Sequence, residues 1–404
     1  MDTTPVLTSA LAQEIAGDTT NIIGLNVLIT DRDGMVIGSG DRSRVGTFHE
    51  ASVDVMRTLR PATHTAAQAR ALRGVRPGIT LPIVFGDSAL GTVGITGTPD
   101  QVRRFGLVVK RQTEILLRES LLLRSRLLRE RALEDLVRDI AYFDAGVVEP
   151  DLVGYRAGEL GYDLSVPRVA VVVELAGPPE RDEPADGSGA RHALLHTLRT
   201  AFPGGRDVVA AMSSDRFVVL HRLAPAIPPD GHGEAVRRLC RQAVDEIARR
   251  HGLVAAAGIG DAATTVAGLH DSYQDASAAL RLGERLAGPG DSEPRLSSID
   301  SLRIHQLLAA AGQRPRTRLA QALTTELRAQ PDWRVLRETV LAWCEHGFNL
   351  VHAAAALHIH RNTLVYRLNK VAQLTGRSGR DHRATLALYL ACLTDQIDGG
   401  GTGQ

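Results

Sequence analysis

Apolar positions along residues 1–100 alternate between two periods. Residues 6–16 carry them at helical spacing and lead to Gly17. Residues 25–30 are a β-rich run, Asp31-Arg32-Asp33-Gly34 supplies turn chemistry, and Met35-Val36-Ile37 resumes the strand pattern, predicting a hairpin. A helix is expected over 49–59, and a second hairpin over 79–85 and 90–96 that turns at Gly86-Asp87. Two hairpins with flanking helices make a small α+β module, a type that encloses a ligand on one face of an antiparallel sheet.

From residue 101 to about 142 the period is helical, without proline and with Gly106 as the single glycine. Ile115, Leu122, Leu123, Leu127, Leu133 and Ile140 begin a loose heptad seam. At 1.5 Å per residue the helix runs roughly 60 Å, more than one small domain needs. It reads as a dimerising helix that carries a signal, the bland alternative being an amphipathic connector.

Strands are expected at 167–175, 207–212, 216–221 and 253–259, and helices at 190–200, 234–250 and 268–286, a second α+β arrangement. Residues 177–189 form a loop, and a break at 288–294 precedes an all-helical tail to about Asp395.

Composition narrows the class. With 404 residues, several domains are expected; 44% apolar and 23% charged residues suit a soluble globular chain. The formal net charge is +1, so any nucleic-acid patch must be local. Cys240, Cys344 and Cys392 lack metal or disulfide spacing, which favours a reducing compartment. Residues 1–20 have no basic n-region and carry Glu14 and Asp18, so no signal peptide is expected, and no apolar run is long enough to span a bilayer. The expected location is the cytoplasm.

The tail carries the most chemistry. A helix over 332–346 ends at Gly347; Asn349 caps a short helix through Leu357; His358-Ile359 turn; His360 caps a helix over 361–374 that stops at Thr375-Gly376. Helix, tight turn, helix is the helix-turn-helix arrangement. In the second helix Leu364, Leu368 and Val371 point inward, while Asn362, Tyr366, Asn369 and Lys370 lie opposite, flanked by Arg361 and Arg367. Asparagine pairs bidentately with adenine and arginine with guanine; Arg, Lys and Tyr reach phosphates. Between Pro331 and Leu393 eight basic residues face four acids, an excess of +4. A solvated bundle face is the competing reading. Together these features favour double-stranded DNA, with His360, Arg361, Asn362, Thr363, Tyr366, Arg367, Asn369 and Lys370 as contacts. His346, His352, His358 and His360 have no carboxylate or cysteine at ligand spacing and read as capping, turn and phosphate residues, not a metal site.

The run from Ile359 to Val371 with Leu374-Thr375-Gly376 resembles the helix-turn-helix signature shared by sugar-diacid (CdaR-type) and purine-catabolism (PucR-type) regulators. Val36 to Gly46 with His49-Glu50, then Gly74-Val75-Arg76-Pro77-Gly78-Ile79-Thr80-Leu81-Pro82, resembles the sugar-diacid recognition domain of the CdaR type. The middle region resembles a degenerate GGDEF-like fold. The resemblance implies a transcriptional regulator, typically an activator, that senses a sugar diacid or a glycerate-like hydroxy acid and controls its catabolic genes. A PucR-type regulator of a nitrogenous metabolite is the first alternative.

The implied architecture is multidomain α+β: a PAS-like recognition domain over 1–100, a dimerising helix over 101–145, a GGDEF-like domain over 146–290, a helical connector over 291–330, and an all-α helix-turn-helix domain over 331–395. Effector candidates are Ser39, Asp41, Arg42, Arg44, His49, Gly74, Arg76 and Gly78. Arg42, Arg44 and Arg76 offer bidentate forks for carboxylates, and Gly38, Gly40, Gly74 and Gly78 permit close backbone approach. Surface pairing of Asp41 with an arginine, and glycines that serve turns, is the plainer alternative. An enzyme is disfavoured: no Ser/His/Asp order or phosphate loop stands out, and the hairpin tip Ser213-Ser214-Asp215-Arg216-Phe217 lacks the paired glycines and acid a cyclase needs. No cofactor is expected. A homodimer or higher homo-oligomer is, with RNA polymerase as a further partner.

Overall fold

The computed structural model describes residues 7–85, 88–175, 187–286, 295–377 and 381–399. The expected turn at Gly86-Asp87, most of the loop at 177–189, the break at 288–294 and the counted Arg380 lie outside the described residues. The chain divides into two compact units, Met1–Arg129 and Glu130–Gln404.

The first unit opens with helix α1 (Ser9–Ile23), capped by the Thr8 hydroxyl and ended by Gly24 at φ 69°. Strands β1 (Val27–Thr30) and β2 (Val36–Ser39) form the first hairpin. A 3₁₀ turn over Arg42–Arg44 leads to α2 (Glu50–Thr58). Strand β3 (Ala62–His64) and the short helix α3 (Ala66–Arg70) had no clear sequence pattern; three and five residues are too few to show a period. The second hairpin is β4 (Gly78–Phe85) and β5 (Ser88–Thr96). Pairing of β1 with β5 joins the hairpins into one antiparallel sheet of order β2-β1-β5-β4-β3. Ile15, Val27, Ile29, Leu81, Ile83, Val93 and Ile95 form its core, together with Val102, Val109 and Leu117 from the start of α4 (Pro99–Ala141).

The second unit takes in the last turns of α4, then α5 (Pro150–Glu159), β6 (Arg168–Leu175), α6 (Gly187–Ala201), β7 (Val208–Ala211), β8 (Arg216–Arg222), α7 (Pro229–His251), β9 (Ala255–Ala263) and α8 (Val266–Leu286). The run Val169–Val173 has no polar alternation because both sheet faces are covered. Val169, Val171 and Val173 pack under α6 and α7, while Ala170 and Val172 face the α4 end, α5 and α8. Arg168, 1% exposed, donates to the carbonyls of Asp163, Arg206 and Leu220.

The tail is not all helical. Strand β10 (Arg295–Ser298) pairs in parallel with β9 and covers that sheet edge, giving the order β10-β9-β6-β8-β7. Four residues carry no readable period; the open edge of β9 makes them a strand. Then come α9 (Ile299–Ala310), α10 (Gln313–Arg328), α11 (Trp333–Glu345), α12 (Leu350–Ala356), α13 (Arg361–Thr375) and α14 (His382–Gly399). Leu327, Leu336, Val340, Val371, Leu388 and Leu393 form the core of this helical part.

Candidate functional site

The N-terminal unit gathers four of the expected effector residues. The Asp41 carboxylate caps the 3₁₀ turn, accepting from the Ser43 amide at 3.2 Å and the Ser43 hydroxyl at 2.6 Å. Those bonds, with the Arg76 ion pair at 3.0 Å, hold Asp41 below the usual carboxylate range. Arg44 is 6% exposed and donates from Nη2 to the Gly74 carbonyl at 2.6 Å. Its Nη1 is sealed from solvent, with no hydrogen-bond partner among the described residues. Burial, then the Arg76 charge, lowers the Arg44 pKa. Segment 41–44 and loop 74–76 are thus clasped by two arginines, each reaching across.

His49 is the N-cap residue of α2 and is 3% exposed. Burial, reinforced by the charges of Arg44 and His64, pushes its pKa down to about 4, so it is neutral at pH 7. Its Nδ1 lies 2.7 Å from the Ser52 hydroxyl; Ser52 lies 2.7 Å from Thr92, and Thr92 2.9 Å from Thr30. This buried chain crosses from α2 to β5 and β1. Sequence reasoning missed it, because a threonine facing inward on a strand looks like any β-branched choice.

The other expected residues sit differently. Ser39 is buried, and its backbone exchanges hydrogen bonds with the Gln13 amide of α1. Arg42 is exposed, with no ion pair among the described residues. The space at the glycines is taken by the chain itself: a Cβ at Gly74 would stand 1.9 Å from the Phe48 carbonyl oxygen, and one at Gly78 2.0 Å from that of Ile95. Gly38 and Gly40 likewise abut Ala12 and Thr20 of α1. Their missing side chains serve internal packing.

In the C-terminal helices the local signals act as read. The Asn349 side chain accepts from the Val351 and His352 amides, His360 Nδ1 accepts from the Asn362 amide at 3.2 Å, and Gly376 closes α13 at φ 65°. Leu364 and Val371 are buried and Leu368 is half-buried. His360, Arg361, Asn362, Thr363 and Asn369 are exposed, as is Tyr366 at 69%. Arg367 is half-buried. The Lys370 ammonium is held by both oxygens of Asp332 at 2.8 Å. Arg361, Arg367, Arg377 and Arg383 have no ion pair among the described residues. The turn places His358 at φ 52°, in the left-handed region.

At the middle hairpin tip, Arg216 lies directly opposite Glu174 across β8 and β6 and donates to its Oε2 from Nε at 2.8 Å and from Nη2. The neighbouring Asp215 accepts from the Ser213 hydroxyl at 2.6 Å. Among the described residues no cluster of His, Cys, Asp or Glu could hold a metal ion, and no helix is long and apolar enough to cross a membrane.

A capped α12, a tight turn and an exposed polar α13 define a helix-turn-helix transcriptional regulator. Residues 336–394 match the PucR C-terminal helix-turn-helix domain, 145–282 a GGDEF-like domain, and 7–140 the sugar diacid recognition model. The chain is 31% identical to the carbohydrate diacid regulator of Escherichia coli K12, over 96% of this chain and 98% of that protein. It is 25% identical to YsfB of Bacillus subtilis over 94% of this chain and 96% of that protein. A shorter match, 29% identical, covers 31% of this chain and 27% of the transcriptional activator PmfR of Paenarthrobacter nicotinovorans. The chain belongs to the carbohydrate diacid regulator family.

Proposed function

We propose that this regulator senses a small carboxylate, a sugar diacid or a glycerate-like hydroxy acid, through residues 1–100 and thereby adjusts DNA binding by residues 331–395, acting in the cytoplasm as an activator of catabolic genes. The observation that carries the sensing half is the buried Arg44, whose Nη1 has no acceptor among the described residues. A sealed guanidinium without a full set of acceptors is costly, and a carboxylate is its natural complement. Asp41, Arg76 and His49 are the neighbouring candidates; Ser39, Arg42, Gly74 and Gly78 support the shape around them. The names of the E. coli regulator and of PmfR agree with the diacid effector and the activator role.

The DNA half rests on the exposed face of α13. His360, Arg361, Asn362, Thr363, Tyr366, Arg367 and Asn369 are its contacts in this reading, with Lys370 acting indirectly. A PAS-like architecture for the N-terminal unit is supported by its antiparallel order β2-β1-β5-β4-β3, with helices alongside. Residues 101–145 pair two copies. Leu122, Leu123, Leu127 and Leu128 on α4 are 58–59% exposed, which favours a partner helix. Residues 146–290 relay the signal without cyclase chemistry: the Arg216–Glu174 pair occupies the strand start where a cyclase needs free carboxylates for magnesium. Residues 291–330 connect, and RNA polymerase is the remaining partner of an activator.

The test is fluorescence anisotropy of the full-length protein on a DNA site selected from a random library, with and without a panel of diacids and hydroxy acids. A specific site whose affinity shifts with one acid is expected. No selected sequence, or no response to any acid, would overturn the reading.

A further inference from the structure

A single line of side chains runs the length of α13. Asn362, Tyr366, Asn369 and Gln373 follow one another at i, i+4, i+7 and i+11, so they share one face. All four are exposed, and none of their side chains hydrogen-bonds within the chain among the described residues. The buried Leu364 and Val371 anchor the opposite side. The charged groups stand off this line. Arg361 precedes Asn362 and Arg367 follows Tyr366, each about 100° around the helix from that neighbour. Lys370 is bonded to Asp332, and the half-buried Arg367 adds its charge to the same carboxylate. The centre of the face is therefore carboxamide, with cations at its flanks.

Three carboxamides on one line make a definite demand on base identity. A carboxamide sets a donor beside an acceptor, the complement of N7 and N6 on the major-groove edge of adenine. Guanine presents two acceptors there, O6 and N7, and turns one of them against the carboxamide oxygen. Its match is a guanidinium or an ammonium, and those groups lie off the line. At 1.5 Å per residue, Asn362 and Asn369 stand about 10 Å apart, and Asn369 and Gln373 about 6 Å. Base pairs are about 3.4 Å apart along the duplex axis, so all three amides fall within about six of them.

We propose that Asn362, Asn369 and Gln373 each read an adenine, so that the DNA under one α13 holds three A·T pairs within about six base pairs. Gln373 becomes a specificity-determining residue in the last turn of the helix. This rests on the DNA-binding role of α13; it extends the reading face by one turn and names the base.

The experiment is selection of a site from a random duplex library with the full-length protein, then competition with every single-base variant of the selected duplex. Adenine should be preferred at three positions. Asn369→Ala and Gln373→Ala should each relax a different one of them, by roughly fivefold to a hundredfold, and leave the others as they were. Gln373→Glu gives the sharper outcome. A carboxylate only accepts, so the base preferred at that position should change from adenine to cytosine, which offers its N4 amino group. A solvated glutamine, or one that only supports the helix, would produce no such exchange. Unchanged melting temperatures of these surface variants show an intact fold. A selected site without the three A·T pairs overturns the inference. So does uniform weakening, or an unaltered preference, in both alanine variants. A Gln373→Glu protein that still prefers adenine removes Gln373 from the reading face. In those cases the DNA-binding role of α13 stands if Arg361→Ala still lowers affinity for the selected site. If no sequence is selected, both fall.

Discussion

Lys370 on α13 donates to both carboxylate oxygens of Asp332, the residue that precedes α11, at 2.8 Å. That pair fixes the recognition helix against α11 and holds Asp332 below the usual carboxylate range. Asp332 thereby competes with phosphate for the half-exposed ammonium. Lys370→Met should therefore leave the salt dependence of DNA binding unchanged. Arg361→Ala should flatten the slope of log K against log salt by about one, as expected when one phosphate contact is lost. Titrations at several salt concentrations distinguish the two; a shallower slope for Lys370→Met would place its ammonium on DNA.

Asn362 stands exposed in the first turn of α13, the part of a helix-turn-helix recognition helix that contacts base edges. Asn362→Ala should cost about 1–3 kcal/mol at a selected site and relax the preference at one base pair. Competition with single-base variants of that site checks this. Uniform weakening across all variants would make Asn362 a backbone contact instead.

His49 links pH to the stability of the N-terminal unit. Its folded pKa is about 4, against 6.5 for the free side chain. Between those values the unfolded chain binds a proton that the folded chain refuses, so stability is present in full above about pH 6.5 and is lost as pH falls toward 4. The shift corresponds to about 3 kcal/mol. Urea unfolding across this range should show a steeper acid loss for the parent than for His49→Gln; identical slopes would mean the imidazole protonates freely in the folded state.

Arg168 satisfies three carbonyls at the base of the second sheet while 1% exposed. Arg168→Met removes a buried charge but strands those carbonyls and deprives Asp207 of a neighbouring cation. The unmade hydrogen bonds dominate, for a loss of about 2–4 kcal/mol. Thermal unfolding of the variant reads this directly, and an unchanged midpoint would show that the loop at 163 relaxes to water.

Arg216 and Glu174 lead to a chemical prediction. Incubation with GTP and magnesium should give no cyclic dinucleotide, and Arg216→Gly should not create any, because the tip carboxylate Asp215 is engaged by the Ser213 hydroxyl and the tip has no paired glycines to admit the nucleotide. Any such product from the parent would return the middle region to catalysis.

Much of this architecture is visible in short stretches of chain. The caps Asn349, His360 and Gly376 and the inward Leu364 and Val371 depend on neighbours within a few residues, so their spacing announces α12 and α13. The hairpins β1–β2 and β7–β8 are legible for the same reason, through turn residues between β-rich runs. The residue types of the proposed sensing site stand beside turn glycines in the sequence, Arg44, Arg76 and His49 among them. Their partners are not legible there. Arg44 meets Gly74 across 30 residues and Ser52 meets Thr92 across 40, and Lys370 finds Asp332 38 positions back. Likewise, β10 is a strand because β9 presents an edge. Periodicity and capping are local properties, encoded residue by residue. Which polar group is sealed, paired or left with a free nitrogen depends on where distant segments are packed, and that is settled only when the sheets close and their faces are buried.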